Sequence, residues 1–185
     1  MLYLPLAAAP RRTAHVPRCY REVVSDIYAR IGLERRLVNE CADHPRRPAR
    51  LRSVIDAPRG RIRVVIEAVG EGLLSEVARR LRDPAARAMQ IAQLDLPLSD
   101  PATPSAVEAL RELGFFFGGV LPEFSEGDVL RLQSVRSQAV DFTSVALVSE
   151  VGKRLLDFVL GDRAQVLART RDVAQPWVRL LAGDQ

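Results

Sequence analysis

Between Leu51 and Val135 short runs of β-branched residues alternate with segments whose apolar residues recur every three or four positions, and this switching of period constrains the fold more than any other feature. LRSVIDA and RIRVVIEAV, joined by Pro58-Arg59-Gly60, read as a β-hairpin. Gly70-Glu71-Gly72 then turns the chain into LLSEVARRLRD, where Leu73, Leu74, Val77 and Leu81 form a helical stripe and Pro84 closes it. In MQIAQLDLPL, Ile91, Leu94 and Leu96 suit a central strand ended by Pro97. A second helix follows. Ser99, Asp100 and Thr103 offer caps, Pro104 suits a first turn, and Val107, Leu110 and Leu113 supply its apolar face up to Gly114. FFFGGVL and DVLRLQSV, flanking a loop over 122–127, form a second hairpin. Strand-helix-strand-helix-strand order predicts an α/β layer architecture with crossover helices packed on a sheet.

The flanks read differently. Pro5, Pro10 and Pro17 keep residues 1–17 extended. RCYREVVSDIYARIGL places Val23 or Val24, Ile27, Tyr28, Ile31 and Leu33 at helical steps, with Gly32 as a stop. Residues 39–49 hold two prolines and a cluster of charges, which predicts a loop. Val148, Val151, Leu155 and Val159 predict a helix over 144–160 that Gly161 terminates, with a shorter helix over 162–173 before Pro176 and Trp177. The expected organisation is an extended lead-in over 1–17, one α/β domain over 18–160, and a helical tail over 161–185 packed on that domain. The start also looks like a segment normally preceded by another domain.

At 185 residues, 48% hydrophobic and 27% charged, the chain has the balance of a globular protein rather than a disordered or fibrous one. No apolar run reaches the ~18–20 residues of a membrane-spanning helix. Lys153 is the one lysine among 27 basic residues. Charge is polarised: residues 1–63 carry a net +8 and residues 64–185 a net −4. An arginine-rich first third can meet a phosphate-bearing ligand or an acidic partner domain. No aromatic residue is interleaved with Arg46, Arg47, Arg50 and Arg52, which argues against a single-stranded nucleic acid surface. Cys19 and Cys41, with His15 and His44 in separate proline-flanked segments, lack the spacing of a metal site. The arginines of MLYLPLAAAPRR follow its apolar stretch, unlike a signal peptide, so a cytoplasmic location is expected.

The strings RIRVVIEAVGEGLLSEVARRL and SAVEALRELGFFFGGVLPEFSEGDVLRLQSV resemble the second half of GNAT-type N-acyltransferases, in which a helix ends in a Gly-Phe pair and leads into the last sheet hairpin. DLPLSDP, LGFFFGGVLPE and GDVLRLQ look closer still to a GNAT-like domain appended to bacterial ATP-binding, anti-sigma-factor-like proteins. The resemblance spans roughly residues 15–160. It implies a GNAT-like mixed sheet with crossover helices on its faces and a C-terminal helical extension, and acetyl-CoA or another acyl-CoA as cofactor. The strand and helix that usually begin such folds are not evident in the sequence, so the sheet is expected to be completed by a partner domain or a second copy.

Carried onto this sequence, the family's pyrophosphate-binding turn corresponds to Val69-Gly70-Glu71-Gly72-Leu73. Backbone N–H groups and the positive end of a helix suit an anion there. The arginine or glutamine that opens the family pattern is absent, and Glu71 adds a negative charge where phosphate would sit, so the turn is expected to be plugged by that acid. Glu67, the acid within RIRVVIEAV, matches the family's general base and reads equally as a solvent-face glutamate. Leu110 stands where the family's acid is a tyrosine, and Tyr3, Tyr20 and Tyr28 fall elsewhere.

Asp95 near the end of its strand suits a substrate amine or a cap for the following helix. One of Phe115, Phe116 and Phe117 is expected to face a cleft, with Phe116 the candidate. Arg131 and Gln133, two apart on one strand, can grip a carboxylate or amide, or pair with Glu108 or Glu112. Glu123, Glu126 and Asp128 make an acidic loop that steers a basic ligand or is simply solvated. Three readings follow: a degenerate acyltransferase-fold domain for ligand binding or regulation, an active N-acyltransferase with Glu67 as base, and an interaction module docking through its basic third.

Overall fold

The structure is a computed structural model that describes residues 10–39, 46–124, 126–136 and 146–169. Strand β1 (Arg12–His15) runs parallel to β2 (Arg35–Val38), from Arg12 opposite Arg35 to His15 opposite Val38. Between them lie a 3-10 turn at Arg18–Tyr20 and helix α1 (Arg21–Arg30), which buries Val24 and Tyr28. Gly32, at φ 68, lets the chain turn out of the helix where a side chain would be strained. A strand and helix therefore do begin the fold, contrary to expectation. Four-residue strands with two arginines in RRLV carry too little alternation to be read from sequence.

A five-stranded sheet follows, ordered β3 (Arg50–Asp56), β4 (Arg61–Ala68), β5 (Ile91–Pro97), β7 (Val129–Val135) and β6 (Phe116–Leu121). Only β4 and β5 are parallel; the other neighbours are antiparallel. The β3–β4 hairpin turns through Ala57–Arg59 and Gly60, at φ 60. Helix α2 (Leu73–Leu81) and the single turn α3 (Pro84–Arg87), capped by the Asp83 carboxylate, cross from β4 to β5. Helix α4 (Thr103–Glu112) crosses from β5 to the β6–β7 hairpin. The mixed sheet with packed helices is the architecture the sequence predicts.

Alternation along β4 sends Ile62, Val64, Ile66 and Ala68 into the core and leaves Arg61, Arg63, Val65 and Glu67 on the other face. Val77 and Leu81 of α2, Val107 and Leu110 of α4, and Leu94, Leu130 and Leu132 of the sheet close one continuous apolar cluster. At about 25 cal/mol per Å² of apolar surface removed from water, that cluster is the main favourable term in folding.

Helix α5 (Glu150–Arg169) is one continuous element. The expected break at Gly161 does not occur, and Val148 lies outside the helix, fully exposed. Its inward side is instead Leu155, Phe158, Val159, Asp162 and Val166. Phe158 meets Phe117 edge-on at 5.3 Å between centroids and Tyr20 at 6.2 Å, a geometry worth ~0.5–1.5 kcal/mol per pair beyond area. Residues 170–173, Trp177, Tyr3, Cys41 and His44 lie outside the described residues. Among the described residues no helix is long and apolar enough to cross a membrane, and no group of acids, histidines and cysteines could hold a metal ion.

Candidate functional site

The parallel pairing of β4 and β5 ends at Val65 opposite Asp95. Beyond that point β4 stays with β3, Ile66 facing Leu51 and Ala68 facing Arg50, while β5 follows β7, Leu96 facing Leu130 and Pro97 facing Val129. The two strands part at their carboxyl ends, where open α/β sheets take their ligands. The crevice holds a cavity of about 320 Å³ whose polar lining includes Arg50, Arg52, Glu67, Asp95, Ser99 and Glu126.

Glu67 reaches this cavity from the exposed side of β4, its carboxylate 3.4 Å from Arg52 Nε. Asp95 also borders it but is 2% exposed and accepts two hydrogen bonds from Arg131, its neighbour across the ladder, at 2.7 and 2.8 Å. This planar, two-point pairing neutralises both groups. Asp95 therefore caps no helix, and Arg131 pairs with it rather than with Glu108 or Glu112. Ala102 stands at the N-cap of α4, which has no side-chain cap, and Asp100 Oδ1 accepts from Ala102 N at 3.1 Å in the turn that leads into the helix. Gln133 donates to the Phe117 carbonyl at 3.4 Å, and neither it nor Arg131 lines the cavity. The arginine stem passes over a bulge at Gly118, where an added Cβ would come within 3.1 Å of Arg131 Cγ. Phe116 is buried opposite Gln133, and Phe115 and Phe117 are core; the expected cleft-facing phenylalanine is not part of the cavity lining.

The turn after β4 is closed, though not by Glu71, whose side chain is exposed. A strap of backbone, Arg47-Pro48-Ala49, lies across it. Glu71 N–H donates to the Arg47 carbonyl at 2.8 Å, and Ala49 N–H donates back to the Glu71 carbonyl at 3.0 Å. Val69 N–H donates to Asp100 Oδ2 at 3.1 Å. The Arg47 guanidinium ties these together, donating to the Val69 carbonyl at 3.0 Å and to Asp100 Oδ2 at 2.5 Å. A Cβ at Gly70 would sit 2.1 Å from the Arg47 carbonyl oxygen, so only glycine admits the strap. Gly72, at φ 75, starts α2, and Leu73 turns into the core. The amides of Val69 and Glu71 are thus already taken by acceptors of the protein itself.

Sequence reasoning took Asp100 for a cap candidate and Asp128 for part of a solvated or steering loop and did not single out Asp162, yet all three are buried carboxylate centres. Beside Asp100, Asp128 accepts from Arg35 Nε at 2.6 Å, Tyr28 Oη at 2.8 Å and Glu123 N at 3.0 Å. Burial pushes its carboxyl up, but these donors outweigh burial and hold it below the ordinary carboxylate range. Asp162 accepts from Tyr20 Oη at 2.8 Å, from Phe117 N at 2.7 Å and from Arg111. Tyr20 and Tyr28 are pushed far above the usual phenol value, first by burial and then by the neighbouring aspartate. Leu110 is fully buried. No phenol among the described residues therefore reaches the crevice as a proton donor. The partners are separated by 45 to 142 residues in Asp162's case and by 93 and 100 in those of Arg35 and Tyr28, so no local motif announces them.

Comparison with known proteins gives no matching family model and no matching curated protein. Two of the solved structures similar to this chain are acetyltransferase variants. One is a point mutant of spermidine N-acetyltransferase SpeG from Vibrio cholerae, 14% identical over 66% of this chain and 79% of that chain, with a TM-score of 0.38. The other is a chimera of SpeG from Vibrio cholerae and hSSAT, 15% identical over 63% of this chain and 80% of that one, also with a TM-score of 0.38.

Proposed function

We propose that this chain is a cytoplasmic GNAT-like acyltransferase-fold domain that has kept the parted strands and given up the coenzyme turn, serving ligand binding or regulation rather than efficient acyl transfer. The observation that carries this reading is the strap: Arg47 and Asp100 occupy the amides of Val69 and Glu71 with permanent partners. An incoming pyrophosphate would have to displace a backbone carbonyl, an ion pair and their hydrogen bonds, each worth ~0.5–3 kcal/mol. Proton chemistry is incomplete as well. Glu67 lies at the crevice as a base would, but its neighbour is Arg52, and Leu110 offers no proton to a leaving thiolate. A role beside an ATP-binding, anti-sigma-factor-like partner domain accords with the resemblance in LGFFFGGVLPE and with the basic first third.

The mixed lining of the crevice supports a small polar ligand with both charge signs. Calorimetric titration with acetyl-CoA is expected to show no binding in the micromolar range. Micromolar binding together with acetylation of an amine, lost on Glu67→Gln, would establish an active N-acyltransferase in its place.

A further inference from the structure

Helices α1 and α5 leave a groove of about 260 Å³ between them. Val23 and Ile27 of α1 and Val151, Leu155 and Phe158 of α5 make its floor, and acids and arginines line its rims. Val23, Ile27, Leu155 and Phe158 are only partly buried by the core beneath, and Val151 is 38% exposed. An apolar floor between charged rims suits an amphipathic segment laid lengthwise, whose anchors recur at i, i+3 and i+4.

We propose that the occupant is the chain's own continuation beyond α5, with Trp177, Leu180 and Leu181 as the anchors. Residues 170–185 lie outside the described residues and follow directly on Arg169. Trp177, Leu180 and Leu181 stand at i, i+3 and i+4, the spacing the groove takes. The reach is sufficient. At about 1.5 Å per residue, α5 carries Arg169 about 16 Å beyond Phe158 and about 27 Å beyond Val151. The extended stretch from Arg169 to Trp177 spans up to about 26 Å, and that from Arg169 to Leu181 up to about 40 Å. One reversal of the chain therefore brings Trp177 back over Phe158 and Leu155, and Leu181 over Val151. The tether also decides between occupants. A segment joined to one wall of the groove meets it at an effective concentration on the order of millimolar, which a free partner or a second copy at micromolar concentration does not match. The proposal is independent of what the crevice binds.

Trp177 is the one tryptophan of the chain, so the fluorescence of the whole protein reads its surroundings directly. Its emission should lie to the blue of solvated tryptophan and be shielded from iodide, equally at all protein concentrations. Val151→Asp puts a charge on the floor at a position already open to solvent, where the fold tolerates it. It should move the emission to the red and raise the iodide quenching constant severalfold at unchanged far-UV circular dichroism. Ile27→Ser, on the opposite wall, should do the same. Leu74→Asp, at a 39% exposed position on α2, should leave both readings as in the wild type. Trp177→Ala should in turn let the apolar dye ANS bind, and adding Val151→Asp should abolish that binding. A solvated Trp177 in the wild type, or a Trp177 that stays shielded in both groove variants, would overturn the proposal. Shielding that grows with protein concentration would overturn it in favour of a second copy's tail.

Discussion

Gly70 shows how much one missing methyl group decides. With the Arg47 carbonyl 2.1 Å from where its Cβ would be, Gly70→Ala must lift the strap or shift the turn. It should cost about 1–3 kcal/mol, the range for overpacking a closed site, measured as a lower urea midpoint at unchanged slope. Asp128 gives a second prediction. Its folded-state carboxyl titrates below the ordinary value of ~3.9, so the unfolded chain binds more protons in that window. Its stabilisation is complete above the ordinary value and is lost as pH falls through the lower, folded one. Urea midpoints measured from pH 5 downward should therefore fall more steeply for the wild type than for Asp128→Asn, which removes the titration and starts from a lower stability.

At the scale of elements, α5 is the piece whose continuity the chain does not announce. Gly161 carries the signature of a helix end, yet Asp162 immediately after it accepts from Tyr20, Arg111 and the Phe117 amide, and these contacts carry the helix through. Tertiary contact outweighs a glycine cost of ~1 kcal/mol. Nothing lies within 4 Å of a Cβ placed at Gly161. Gly161→Ala should accordingly stabilise by about 0.5–1 kcal/mol, read as a higher thermal midpoint, the opposite sign to the same substitution at Gly70. A decrease at Gly161 would mean that the helix is bent or broken there. The strands tell the converse story. The β3–β4 hairpin was legible because Pro58-Arg59-Gly60 fixes its turn locally, whereas β1 and β2 are paired across a helix and carry only four residues each.

For the whole molecule, the layered α/β order and the sheet strands between Arg50 and Val135 follow from period and punctuation, because each depends on neighbours in sequence. The site was legible only as an outline. Val69–Leu73 and Glu67 were found at the parting strands, but the partners that decide their chemistry arrive from far along the chain: Arg47 and Asp100 at the turn, Arg131 at Asp95. A coenzyme turn and a strapped turn share the same glycines, and only the strap tells them apart. The amide of Glu71 reports on it directly. In ¹⁵N-resolved spectra of the wild-type protein titrated with acetyl-CoA, the Val69 and Glu71 amide resonances should stay where they are and exchange slowly with solvent; saturable shifts centred on those two amides, with their protection lost, would contradict the closed turn.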